Sequence, residues 1–184
     1  MTTYTGLVTL VQLSAGILGD RNRMSYDAGI SYIRNVFEAT RTLQKNPDDL
    51  DARGIIMMGA SLSTSSRLGI GKEEPFAYEI YELEFLPEKL FGSSYRRSLT
   101  SVFPRFLQAM GKHHADDIRK YYHDAFGFDS SIEESSRKLV ELFEGLRVEM
   151  YYDGKITREQ VDAIPCHTEL SKEEVFDIIN SLIR

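Results

Sequence analysis

The residue types best suited to chemistry fall in a few places. His113-His114-Ala115-Asp116-Asp117, with His123 further on, gathers imidazoles and carboxylates, the donors a divalent transition metal takes. His113 and Asp117 stand four apart, which on a helix puts them on one face. The same residues also suit the start of a surface helix, where acidic side chains complement the helix dipole and histidines beside them need no metal. That second reading is the expectation here. Glu73, Glu74, Glu79, Glu82, Glu84 and Glu88 crowd carboxylates into an acidic fourth helix. Paired carboxylates do acid–base work when their surroundings push their pKa values apart, but no apolar pocket is readable beside this run, so a solvated or partner-binding face is expected. Cys166 beside His167 has the types of a thiolate and its base, yet adjacent residues seldom point together and nothing supplies an orienting third group. Gly69-Ile70-Gly71-Lys72 is too short for a phosphate loop and lies between expected helices, so it reads as a turn.

The elements that must position these residues are helical almost throughout. Tyr26, Ile30, Ile33 and Phe37 recur at helical spacing, as do Ile132, Leu139, Phe143 and Leu146, while strand-like alternation is nearly absent. Asn46-Pro47 predicts an N-cap followed by a proline at the first helical position, with Asp48 and Asp49 at the positive helix end. Ser130-x-x-Glu133, Thr157-x-x-Gln160 and Ser171-x-x-Glu174 have capping-box spacing, and Ile156 with Val161 and Leu170 with Val175 add hydrophobic staples to the last two. Glycines at 19, 69, 71, 92, 111, 127 and 154 supply stops. The expected fold class is all-α, a bundle of about eight or nine helices forming a single helical domain over residues 1–184. Pro104 inside Leu99, Val102, Phe103, Phe106, Leu107 and Met110 predicts a kinked helix. Gly54, Gly59, Ala60 and Ser61 predict close packing of the helix running from Pro47 to Arg67.

Composition narrows the function classes. At 184 residues, with 42% hydrophobic residues, the chain is long enough for a substantial core. A net charge of −6 disfavours a nucleic-acid partner, and Arg96-Arg97 and Arg21-Asn22-Arg23, the densest basic spots, read as solvated surface. A single cysteine, Cys166, forms no internal disulfide and suits a reducing, cytoplasmic setting. The apolar run from Gly6 to Leu18 lacks a basic start and is interrupted by Thr9, Gln12 and Ser14, so neither a signal peptide nor a membrane span is expected.

Taken in order, several stretches resemble the helical C-terminal domain of the iron-containing (group III) alcohol dehydrogenases, in their butanol-dehydrogenase-like branch. "TGLVTLVQLSAGIL" resembles the first helix of that domain and "YDAGISYIRNVFEAT" the second. "NPDDLDARGIIMMGASLSTSSRLGIG" resembles the loop and third helix, and "SLTSVFPRFL" the helix that follows the last ligand histidine, with its proline at Pro104. "LVELFEGLRV" and "LSKEEVFDIINSLIR" resemble the tail helices. The resemblance covers nearly the whole chain. It implies that relatives carry a nucleotide-binding domain ahead of this one, and the expectation is a helical domain without that partner domain.

The resemblance also implies a metal site built from an Asp-x-x-x-His pair and two further histidines, holding iron or zinc to polarise an alcohol oxygen while hydride leaves for NAD(P). The pair falls on Val8 and Gln12, the third ligand near Ala77 or Tyr78, and the fourth on Tyr95, while Tyr81 stands where the family has a further histidine. Valine and alanine offer no donor atom, an amide is a weak ligand, and tyrosine must lose a proton with a reference pKa near 10 before it binds well. The expectation is therefore no catalytic, cofactor-binding or metal-ligating residue, and a vestigial pocket lined by Val8, Gln12, Ala77, Tyr81 and Tyr95. Aromatic side chains filling the vacated space are expected there, with a small-molecule ligand as the alternative. The functional expectation is a catalytically silent helical module acting through protein contacts or small-ligand binding, as a homodimer or hetero-complex through an exposed apolar helix face. A metal-dependent alcohol dehydrogenase domain that borrows a separate nucleotide-binding half is the alternative.

Overall fold

The computed structural model describes residues 2–65, 68 and 76–184. Gly69, Gly71, Lys72, Glu73, Glu74 and the expected helix end at Arg67 lie outside the described residues. The described chain has no strand and contains ten α-helices. They are α1 (Thr2–Ile17), α2 (Arg23–Lys45), α3 (Leu50–Ser63), α4 (Ile80–Leu83), α5 (Phe85–Phe91), α6 (Tyr95–Met110), α7 (Ala115–Phe126), α8 (Ile132–Gly145), α9 (Arg158–Asp162) and α10 (Lys172–Asn180), with a 3-10 turn at Phe76–Glu79 before α4. The all-α expectation holds. Two of the helices, α4 and α9, are single turns of four and five residues.

The chain divides into two compact units, residues 1–78 with 120–129 and residues 79–119 with 130–184. In unit 1, α1 packs on both α2 and α3, and α2 on α3. Its Leu7, Leu10, Val11, Leu13 and Ile17 are all 0% exposed, so α1 is a core helix apolar nearly all round. The hydroxyls it buries turn back on the helix: Thr9 donates to the Thr5 carbonyl and Ser14 to the Leu10 carbonyl at 2.7 Å, while Ser14 also shares a 2.6 Å hydrogen bond with the buried Tyr121. Capping each hydroxyl in this way avoids the roughly 1–3 kcal/mol cost of an unpaired buried group. Gly59 lets α3 approach, since a Cβ there would lie 2.6 Å from Val36 Cγ2 and 3.1 Å from Thr9 Cγ2. Gly54 has open space instead, so the expected close packing holds at Gly59 and not at Gly54.

In unit 2, α6 is the central element, packing against α4, α5, α8 and α10. It runs unbroken through Pro104, whose carbonyl accepts the Ser136 hydroxyl from α8. The capping boxes at Thr157 and Ser171 form as expected. Two other starts move. The N-cap of α3 is Asp49, accepting the Ala52 N–H at 2.9 Å, and Asn46 instead ends α2. The N-cap of α8 is Ser131, accepting the Glu134 N–H, one residue beyond the expected Ser130. Gly19, Gly92 and Gly127 sit after their helices with positive φ, but Gly111 caps α6 in a right-handed conformation. There the glycine serves contact instead, because a Cβ would meet Ile132 at 2.8 Å.

The last residues of unit 2 fold back on Tyr152. Its N–H donates to the Leu182 carbonyl at 2.7 Å, its carbonyl accepts the Arg184 N–H at 3.2 Å, and Tyr152 with Ile183 forms an isolated parallel bridge. The Tyr152 ring stacks on Phe91 at 4.7 Å, and the Arg97 guanidinium lies 4.3 Å from its centroid.

Candidate functional site

The five positions that the resemblance singles out fall in different elements. Val8 and Gln12 are half-buried on α1, Ala77 is 1% exposed in the 3-10 turn, Tyr81 is half-buried on α4, and Tyr95 is the first residue of α6 and 38% exposed. Tyr78, the other choice for the third position, is 46% exposed. Unit 1 holds Val8, Gln12 and Ala77, while unit 2 holds Tyr81 and Tyr95. The side-chain carbonyl of Gln12 accepts a 3.1 Å hydrogen bond from the Ser63 hydroxyl, so α1 and α3 already use its best donor atom. With two hydrocarbon side chains and an engaged amide among them, these residues do not fit an iron or zinc ion.

The histidines of the 113–123 stretch are taken by carboxylates. His113 meets Glu174 at 3.3 Å, His114 meets Glu169 at 2.5 Å, and His123 meets Asp129 at 2.6 Å. α7 begins only at Ala115, so His113 precedes the helix and shares no helical face with Asp117, contrary to the spacing argument. Among the described residues, no group of three or more histidine, cysteine, aspartate or glutamate side chains could hold a metal ion. Burial opposes ionisation of Glu174, but hydrogen bonds from the Ser171 N–H and hydroxyl, from Lys112 and from His113 outweigh it and hold the carboxyl down to about 2.

The acidic run departs most from its reading as a solvated face. Glu79 accepts the Thr168 hydroxyl and the Glu169 N–H, and Glu82 accepts the His167 N–H at 3.4 Å, so residues 167–169 lie over these carboxylates. Glu84 is 2% exposed between α4 and α5. Burial, together with the neighbouring and hydrogen-bonded Glu88 carboxylate, pushes its carboxyl up to about 8. The signal was present in the sequence: Glu84 lies three to four residues from Ile80 and Pro87, both buried, on one continuous stripe. Cys166 behaves as expected of an unreactive thiol. Burial, with Glu82 and Glu79 nearby, pushes it up to about 11, far from thiolate at neutral pH.

Sequence reasoning placed no site between α2 and α3, where unit 1 carries a groove of about 560 Å³. Tyr32 and Asn35 of α2 and Leu50, Ile55 and Met58 of α3 line it, and Gly54 forms part of its floor. The apolar surface of α3 continues past the groove: Leu50 is 80% exposed, Met57 73%, Met58 63% and Ile55 38%. The readable sign was Ile55-Ile56-Met57-Met58, because four consecutive apolar residues point to more directions than one helix face can bury.

No protein-family model matches the chain, nor does any curated protein. Solved structures do. The NADH-dependent butanol dehydrogenase A of Thermotoga maritima superposes with a TM-score of 0.82 over 99% of this chain and 52% of its own, at 16% identity. This is an iron-containing alcohol dehydrogenase fold. An iron-containing alcohol dehydrogenase from Corynebacterium glutamicum matches over 100% of this chain and 52% of its own, with a TM-score of 0.69 and 16% identity. The aldehyde reductase YqhD of E. coli, in a form free of substrate and cofactor, matches over 82% of this chain and 41% of its own, with a TM-score of 0.68 and 13% identity. The chain spans about half the length of these dehydrogenase-fold structures, the helical part of the fold. Among the described residues, no helix is long and apolar enough to cross a membrane.

Proposed function

We propose that the chain is a catalytically silent module on an iron-containing alcohol dehydrogenase fold and works through protein contacts made by α3. The observation that carries this reading is the α2–α3 groove with Leu50, Met57 and Met58 exposed around it. Contiguous apolar surface on a soluble protein marks a contact site, and methionine, flexible and polarizable, adapts to partner surfaces. Support for catalytic silence comes from coordination chemistry: Val8 and Ala77 have no atom to give a metal, and the Gln12 oxygen is bonded to Ser63. The contact takes the form of a homodimer or a hetero-complex, in the cytoplasm.

The test combines light scattering with a hydrophobic dye. The protein is expected to exceed monomer mass as its concentration rises and to bind the dye, and Met58→Asp is expected to abolish both. A monomer at high concentration that binds no dye would overturn the contact reading. Stoichiometric, tight iron or zinc binding with alcohol-dependent reduction of a nicotinamide cofactor would overturn the silent one.

A further inference from the structure

In unit 2, α6 and α10 pack together and line a smaller groove of about 260 Å³. Each presents the same helical spacing to it: Arg105, Gln108 and Lys112 from α6 and the turn after it, and Glu174, Asp177 and Ser181 from α10 and its cap. One wall is therefore basic and the other acidic. At one end the opposed charges satisfy each other, since Lys112 meets Glu174 at 3.3 Å and Glu174 is further held by Ser171 and His113.

Along the groove from Lys112, two helical turns or about 10 Å back on α6, the charges are left over. Arg105 is 8% exposed, and burying a guanidinium without a counter-charge is costly. One of its N–H groups donates to the Ser101 carbonyl at 2.8 Å, and its plane lies 4.9 Å from the Tyr151 ring centroid. Glu144, the carboxylate whose field acts on Arg105, is itself bonded to Arg184 at 2.9 Å. Its side chain also hydrogen-bonds the Tyr151 side chain, so the groups that hold it are neutral, and among the described residues Arg105 has no carboxylate partner. Asp177, exposed on α10, likewise has no ion pair among the described residues. The Ser181 hydroxyl donates to the Ile178 carbonyl at 2.6 Å, which leaves its oxygen free to accept.

We propose that the α6–α10 groove is a binding site for a small zwitterion, an amino-carboxylate whose carboxylate pairs with Arg105 and whose ammonium pairs with Asp177. Arg105 supplies the planar fork that matches a carboxylate and neutralises its own buried charge in doing so. Asp177 takes the ammonium, with Ser181 accepting a second N–H. The volume lies just under the range of about 300–1,000 Å³ typical of drug-sized ligands, which suits an amino acid. This site is independent of the α3 surface and goes beyond the contact function.

The experiment is calorimetric titration of the full chain with L-alanine and γ-aminobutyrate, zwitterions of short and long charge separation. Propionate, butyrate and ethylamine are the single-charge controls. At least one zwitterion is expected to saturate the protein and to bind tenfold or more tightly than every control. Asp177→Asn, a surface change, is expected to weaken that zwitterion at least tenfold and to leave butyrate unchanged, with the light-scattering mass unaltered. Arg105→Lys is expected to weaken zwitterion and carboxylate alike. Absence of binding by both zwitterions, equal binding by the carboxylates, or indifference to Asp177→Asn would each overturn the proposal.

Discussion

The two units misplace their side chains in opposite directions. Unit 1 keeps apolar groups outside, with Leu50 at 80% and Met57 at 73% exposure, and its buried polar groups are neutral hydroxyls closed on their own helices, Thr9, Ser14 and Thr40. Unit 2 takes ionisable groups inside, with Glu84 at 2% and Arg105 at 8% exposure. Exposed apolar area costs a folded chain little until a partner covers it, whereas a buried charge costs stability in the isolated chain. On the two proposals above, covering the α3 surface would stabilise unit 1, and a counter-charge for Arg105 would stabilise unit 2.

The sharpest way to break the contrast is to compare α1 with α3. Leu10→Ala is expected to cost about 2–5 kcal/mol by denaturant unfolding, because Leu10 is 0% exposed and its loss leaves a cavity. Met57→Ala is expected to stay within about 0.5 kcal/mol. Comparable losses would mean that the α3 face is packed after all.

The buried acid of unit 2 gives the next effect. The folded pKa of Glu84, about 8, lies above its ordinary value of 4.5, so between those pH values the folded chain holds a proton that the unfolded chain has released. Stability should therefore fall as pH rises from about 4.5 to 8 and level off above. Glu84→Gln is expected to flatten this slope and to raise stability at pH 8. A wild-type profile as flat as that of the variant would remove unit 2 from the comparison.

The smallest effects have opposite signs within one helix. Gly59→Ala places a methyl against Val36 and Thr9 and is expected to cost about 1–3 kcal/mol. Gly54→Ala, with nothing within 4 Å of the new methyl, is expected to stabilise by about 0.5–1 kcal/mol through helix propensity. Thermal unfolding of both variants measures the difference, and two losses of equal size would show that α3 is tight along its whole length.

Much of the fold was legible because helix signals are local. Thr157 and Ser171 each needed only the residue three places on, and both boxes form. Errors arose where two local signals competed. Asp49 displaced Asn46 because its carboxylate reaches the Ala52 N–H while Asn46 is used to end α2. Ser131 displaced Ser130, whose hydroxyl instead bonds to Ser135. The sites were less legible because they depend on what covers a residue. Residues 167–169, distant in sequence, reach the Glu79–Glu82 stretch, and nothing in the acidic run announces them. The groove residues Arg105, Gln108 and Lys112 interleave with the apolar stripe of α6, so their shared face became visible only once α10 was placed against it.

The clasp at Tyr152 has a mechanical consequence. Arg184 is tied through its own amide to Tyr152, through its guanidinium to Glu144, and lies over the Tyr151 ring at 4.3 Å. Force applied at residue 184 would thus be borne first by this backbone bridge and two side-chain anchors, not by the end of α10. A tether or label attached there would report on the seam that fastens the residues after α10 to the 151–152 segment, and would loosen it if it displaced the arginine.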